Sequence, residues 1–168
     1  MRKINCLSWL PLFLTLTAFL ALSSGFVAEY FFKLRPCSLC LFQQYIFLAI
    51  LIIGCLSIFL PFLKNSSRKV CFLLALLYIL NANIAFYHVA VEHQWVDPPS
   101  QCQHKKLSGN SIEEMREQLL NTETVRCDQV QWSLFGISMA GYNALYCLGL
   151  GIFTFHFLRR HKKKKESQ

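Results

Sequence analysis

Arg35-Pro36-Cys37-Ser38-Leu39-Cys40-Leu41-Phe42-Gln43-Gln44-Tyr45 leads into an apolar run that continues to Leu63. Two thiols stand two residues apart, just after a proline and just before that run. This is where a helix begins, and the free N–H groups of a helix start stabilise a thiolate. A C-x-x-C pair alone fits a redox dithiol, half of a zinc site or coincidence, so its surroundings decide its meaning. Here they read as membrane.

Working outward, four apolar stretches appear, at about Leu7 to Ala28, Leu41 to Leu63, Val70 to Val91 and Leu134 to Leu158. Each supplies the roughly 20 residues that a helix needs to cross about 30 Å of hydrocarbon. The 168-residue chain is 54% hydrophobic, with 15 Phe but only 7 Gly and 5 Pro. A soluble domain of this size needs more polar surface. The expected fold is an all-α membrane protein: one domain, 1–168, a four-transmembrane-helix bundle with outer loops at about 29–40 and 92–133.

The net charge of +8 is arranged in three clusters. Arg2 and Lys3 precede the first stretch, Lys64, Arg68 and Lys69 separate the second from the third, and a basic tail at 159–168 follows the fourth. All fall on one side, which the positive-inside rule makes the cytoplasm, with both termini inside. The tail is then an orientation signal near anionic lipid, and with no accompanying aromatic or Gly-rich pattern it does not read as a nucleic-acid site. Met1-Arg2-Lys3 and Ala21-Leu22-Ser23 resemble signal-peptide ends, yet the apolar run is longer than the usual h-region of about 7 to 15 residues, so an uncleaved span is expected.

Taken in order, Ser23, Ser24 and Gly25 permit a close helix neighbour. Tyr30, Phe31 and Phe32 form an interfacial aromatic belt, with Lys33 and Arg35 able to reach an anion. Gln43 and Gln44 are costly in an apolar helix unless hydrogen-bonded, by a packed neighbour helix or by a polar ligand head beside Cys40. Asn81 and Asn83 suit interhelical hydrogen bonds, and His88 and Glu92, four apart, share a helix face. In the second loop Asp97-Pro98-Pro99-Ser100 breaks the chain. Ser111 and Glu114 form a capping box there, and Ile112, Met115 and Leu119 make the stripe of a short amphipathic surface helix. The small residues of the fourth stretch, Ser133, Gly136, Ser138, Ala140, Gly141, Ala144, Gly149 and Gly151, favour tight helix contact.

This topology sorts the 8 cysteines. Cys37, Cys40, Cys102 and Cys127 face outward, where disulfides persist, while Cys6, Cys55, Cys71 and Cys147 lie in spans or on the cytoplasmic side. The outer four suffice for two disulfides, and thiolate attack on a disulfide moves two electrons without a metal. Two static staples and a four-thiolate zinc site are the competing readings, although Cys102 and Cys127 lack the usual zinc-knuckle spacing.

Three segments carry a resemblance: Pro36-Cys37-Ser38-Leu39-Cys40; Tyr87-His88 through Glu92, Pro98-Pro99 and Cys102; and Arg126-Cys127-Asp128 with Trp132, Leu134-Phe135-Gly136-Ile137-Ser138 and Ala140-Gly141. With four spans around them, the chain resembles the disulfide bond formation protein B (DsbB) family, inner-membrane thiol:quinone oxidoreductases of Gram-negative bacteria. The resemblance covers most of the chain from Lys33 to about Tyr146. It implies catalytic cysteines at Cys37, Cys40, Cys102 and Cys127, and no metal. It also implies a periplasmic DsbA-like partner that attacks a Cys102–Cys127 disulfide, with electrons passing through a Cys37–Cys40 pair to ubiquinone or menaquinone. A DsbA-type oxidant, at about −120 mV, needs a more oxidising final acceptor. The family's usual arginine four residues after the second cysteine of the pair is here Gln44, which can hydrogen-bond a quinone carbonyl but brings no charge. Gln44, Arg35 and His88 are the expected quinone contacts. A paralogue dedicated to one DsbA-like partner, and a non-enzymatic four-span protein with structural disulfides, are the alternatives.

Overall fold

The computed structural model describes residues 9–60, 66–100, 102 and 126–166. They form four helices, α1 (Leu10–Tyr30), α2 (Ser38–Phe59), α3 (Ser67–Glu92) and α4 (Met139–Glu166), with a short antiparallel hairpin of β1 (Ser133–Leu134) and β2 (Ile137–Ser138) just before α4. The expected all-helical bundle is present. Three of its helices, α1, α2 and α3, are long and apolar enough to cross a membrane. The expected surface helix around Ser111 to Leu119 lies outside the described residues.

The helix boundaries follow local chemistry. Pro11 sits in the first turn of α1, where its missing N–H costs nothing. Cys37 caps α2 in an extended conformation, with its sulfur accepting from the Cys40 N–H. That helix stops at Leu60, extended at φ −87 and ψ 117, as the residue before a proline prefers. α3 ends in a left-handed residue, Gln94 at φ 59. The Trp95 N–H reaches Ala90 O and the Gln94 N–H reaches Val91 O, so the last carbonyls of α3 are satisfied without the usual glycine.

Packing is chiefly α1 on α2 and α3 on α4, with α2 meeting α3. The core runs through Leu10, Leu14, Ile50, Leu74 and Tyr78. Tyr78 is fully buried, and its hydroxyl donates to Leu14 O at 2.9 Å and meets Thr17 Oγ1 at 2.8 Å. Two glycines set close crossings. A Cβ on Gly54 would run into Thr15, and one on Gly151 into Ile79. Such small residues let apolar helices approach where hydrophobic exclusion from water gives no drive.

Three expectations change. The fourth helix begins at Met139, not Leu134, because Phe135 (φ 51) and Gly136 (φ 78) make the two-residue turn of a hairpin that pairs Leu134 with Ile137. Gly136 therefore serves a turn and not packing, and nothing lies within 4 Å of a Cβ built on Gly149. Asn83 bonds Ile79 O of its own helix, leaving Asn81 as the interhelical member.

Arg68, Lys69 and Arg159 gather with Phe72 and Phe155 around one cleft. Two of the three basic clusters thus share one end of the bundle, opposite Cys37.

Candidate functional site

The other end is assembled from the start of α2, the end of α3, the hairpin and the start of α4. Cys37 (3% exposed), Cys102 (5%) and Cys127 (1%) are buried and pack in one cluster with Leu39 and Val91, against Cys40 and Tyr87. The fold therefore brings all four outward cysteines together. Cys102 and Cys127 are joined as a disulfide with Cα atoms 5.6 Å apart. Cys37 and Cys40 are free thiols with Sγ atoms 3.3 Å apart.

The segments that deliver the disulfide are tied down locally. The Cys102 N–H donates to Pro99 O at 2.7 Å, and Tyr87 Oη donates to the carbonyl of Asp97 at 3.2 Å. On either side of Cys127, Arg126 grips Asp128 with two N–H groups, Nε at 2.9 Å from Oδ1.

Cys37 has the most activating surroundings. The Cys40 thiol hydrogen-bonded to it is the largest influence holding Cys37 well below the usual thiol range. Burial opposes this, and His88 and the Cys40 backbone N–H add to it. His88 Nε2 lies 3.5 Å from Cys37 Sγ, and 3.8 Å from Glu92 Oε1 across the shared helix face expected from their spacing. Ser138 of the hairpin donates to Glu92 Oε2 and accepts the Gly141 N–H at 3.1 Å. It thereby links the start of α4 to the end of α3.

The two glutamines take different directions. Gln43 is buried between His88 Nδ1 (3.3 Å) and Asn143 Nδ2 (2.6 Å), so neighbouring helices supply its partners. Gln44 lines a cavity of about 80 Å³ with Cys37, Cys40, Arg35, Glu92 and Trp132. Gly25 of α1 makes room for its amide, since a Cβ there would lie 3.1 Å from Gln44 Nε2. The expected contacts Gln44, Arg35 and His88 thus converge on one cavity beside Cys40.

Two of the four outer thiols are joined to each other in this structure, so the four are not arranged as a set of zinc ligands. Cys37, Cys40 and His88 place two thiols and an imidazole within 4.8 Å of one another, a group able to hold a metal ion; a structural zinc takes four protein ligands and a catalytic zinc three. Sequence reasoning gave Asn143 no role and read Ser138 only as a small packing residue within the resemblance, not as a partner of Glu92. An Asn four residues into an apolar helix was a readable signal for the first, and nothing local marked the second.

Comparison with known proteins identifies the family of the chain. No solved structure matches the chain. An uncharacterised protein of Rickettsia prowazekii (strain Madrid E), RP370, is 30% identical over 147 residues, covering 86% of this chain and 83% of its own. The family model for the disulfide bond formation protein DsbB matches residues 7–157. The chain is a membrane protein of the DsbB family, which forms disulfide bonds by oxidising thiols.

Proposed function

We propose that this protein reoxidises a periplasmic DsbA-like thiol oxidase and passes the electrons to membrane quinone. The observation that supports it most is the single packed cluster holding a disulfide, Cys102–Cys127, and a dithiol, Cys37 with Cys40. The first exchange is a partner thiolate attacking Cys102, which forms a mixed disulfide and releases Cys127. The partner's second thiol then resolves that bond, leaving the partner oxidised and Cys102 and Cys127 reduced. Thiolate attack by Cys127 on an oxidised Cys37–Cys40 pair forms a mixed disulfide between the two pairs and frees one thiol of the inner pair. Attack by the Cys102 thiolate on the Cys127 sulfur of that bond then restores the outer disulfide and leaves the inner dithiol.

Quinone, when bound, accepts two electrons and two protons from a dithiol. The residues beside Cys40 fit such a headgroup: the Gln44 amide and Arg35 offer N–H donors in the same cavity. A neutral amide holds a carbonyl by hydrogen bonding alone, so Gln44 sets quinone affinity more than charge stabilisation. In this reading the Cys37 end lies outside, the end with Arg68, Lys69 and Arg159 is cytoplasmic by the positive-inside rule, and α4 is the fourth span.

The test is oxidation of a reduced DsbA-like protein by the purified protein with ubiquinone or menaquinone, following quinone absorbance. Turnover is expected, lost in Cys40→Ser, with a several-fold higher quinone KM in Gln44→Ala. Cys127→Ser, mixed with the oxidised partner, is expected to accumulate a covalent complex, its unpaired Cys102 thiolate opening the partner's disulfide. No turnover with either quinone and no complex would leave two structural disulfides as the better account.

A further inference from the structure

His88 is the end of a longer chain of buried and partly buried polar groups that runs from the middle of the bundle to Cys37. Asn81 Nδ2 donates to Cys147 Sγ at 3.5 Å, and the Cys147 thiol donates to Asn143 Oδ1 at 3.3 Å. Asn143 Nδ2 donates to Gln43 Oε1 at 2.6 Å. Gln43 Nε2 then faces His88 Nδ1 at 3.3 Å, and His88 Nε2 faces Cys37 Sγ at 3.5 Å. The chain crosses from α3 to α4, to α2 and back to α3.

Each link constrains the next, because an amide has one donating end and one accepting end. With Asn143 Oδ1 taken by the Cys147 thiol, only its NH₂ is left for Gln43. The Gln43 carbonyl meets that NH₂, so its own NH₂ points at His88 Nδ1, which must accept. A neutral imidazole that accepts at Nδ1 carries its proton on Nε2, the atom that faces both Cys37 and the Glu92 carboxylate. The direction leaves one trace. Asn81 Oδ1, at the far end, is buried with no hydrogen-bond partner among the described residues, and such an orphan calls for a reason. Reversing every link would give Asn81 Oδ1 the Cys147 thiol proton, but would turn His88 Nε2 into an acceptor toward Cys37. The orphaned acceptor is thus the far-end counterpart of an N–H aimed at sulfur.

We propose that Gln43 and Asn143, with Cys147 behind them, are positioning residues that hold His88 in the Nε2–H tautomer and thereby aim a proton donor at the Cys37 thiolate. This deepens the proposed thiol chemistry and rests on Cys37 being a reacting group. The other ionisable groups sharing its cavity are Cys40, Glu29, Arg35, Glu92 and Arg126. All of them remain in the variants below.

The experiment uses the full-length reduced protein in detergent, without quinone or partner, so its outcome does not depend on turnover. ¹⁵N NMR of histidine-labelled protein, with the His88 signal identified by its loss in His88→Gln, is expected to show protonated Nε2 and unprotonated Nδ1. Asn143→Leu frees the Gln43 amide to rotate. It is expected to mix the two tautomers and to move the half-point of Cys37 alkylation by iodoacetamide up by about one pH unit, a tenfold loss of thiolate at pH values below it. Cys147→Ser, which keeps a donor, is expected to match the parent, and Cys147→Ala to resemble Asn143→Leu. Protonated Nδ1 in the parent overturns the proposal even if the variants do not fold. So does an unchanged Cys37 profile in folded Asn143→Leu and Cys147→Ala.

Discussion

At the end of the bundle where Arg68, Lys69 and Arg159 meet, the buried residues are Leu10, Val70, Cys71 and Leu158. At the opposite end the same four helices enclose Cys37, Gln43, His88, Asn143 and Glu92. Both ends bury sulfur. Cys71 is enclosed by the apolar core, where a thiol behaves as a small hydrophobe. Cys37 lies at a helix N-terminus beside an imidazole and a second thiol. The contrast teaches that reactivity here is conferred by neighbours and not by residue type. One end supplies packing, the other supplies hydrogen-bond donors that stay ordered because the packing beneath them is tight.

The largest expected break in that symmetry is the pH profile of thiol reactivity. Cys37 is held below the usual thiol range mainly by the Cys40 thiol, so it keeps a thiolate fraction as pH falls below about 8.5, the ordinary value. Alkylation of Cys37 in the reduced protein, read by peptide mass, is expected to have its half-point below that of a short cysteine peptide. A half-point at or above the peptide's would erase the distinction between the two ends.

A second break comes from the packed end. A side chain at Gly54 meets Thr15, and overpacking of this kind costs about 1–3 kcal/mol. Gly54→Leu is expected to lower the melting temperature in detergent while the Cys37 alkylation profile of the folded fraction stays in place. An altered profile with an unchanged melting temperature would show that the ends are not separable. The smallest effect is expected from Tyr78→Phe, which removes the hydroxyl bonded to Leu14 and Thr17 for about 1 kcal/mol. A thermal shift checks it, and a loss as large as that of Gly54→Leu would mean the hydroxyl organises the core more than its two bonds indicate.

Much of this was legible in the chain. The apolar runs announced the helices, and Pro36 before Cys37-Ser38-Leu39-Cys40 announced where α2 begins. The i,i+4 spacing of His88 and Glu92 announced their shared face. The hairpin was not legible, because the positive φ of Phe135 falls on an aromatic residue that no turn preference selects, and Leu134 and Ile137 blend into the apolar run that follows. Gln43 and Gln44 looked alike in sequence. Only the angle between adjacent helical positions, which sends one toward His88 and the other toward the cavity, separates their surroundings. Long-range partners such as Asn143 for Gln43 depend on which helices lie side by side, and that is a property of the assembled bundle.

The shared cluster of Cys37, Cys40, Cys102 and Cys127 also has a kinetic meaning. Reactants held in one folded unit meet at an effective concentration fixed by geometry and not by supply. Any exchange between the two pairs is therefore first order, with the same rate in a dilute preparation as in a crowded one. Under the proposed function, only the encounters with outside molecules respond to abundance.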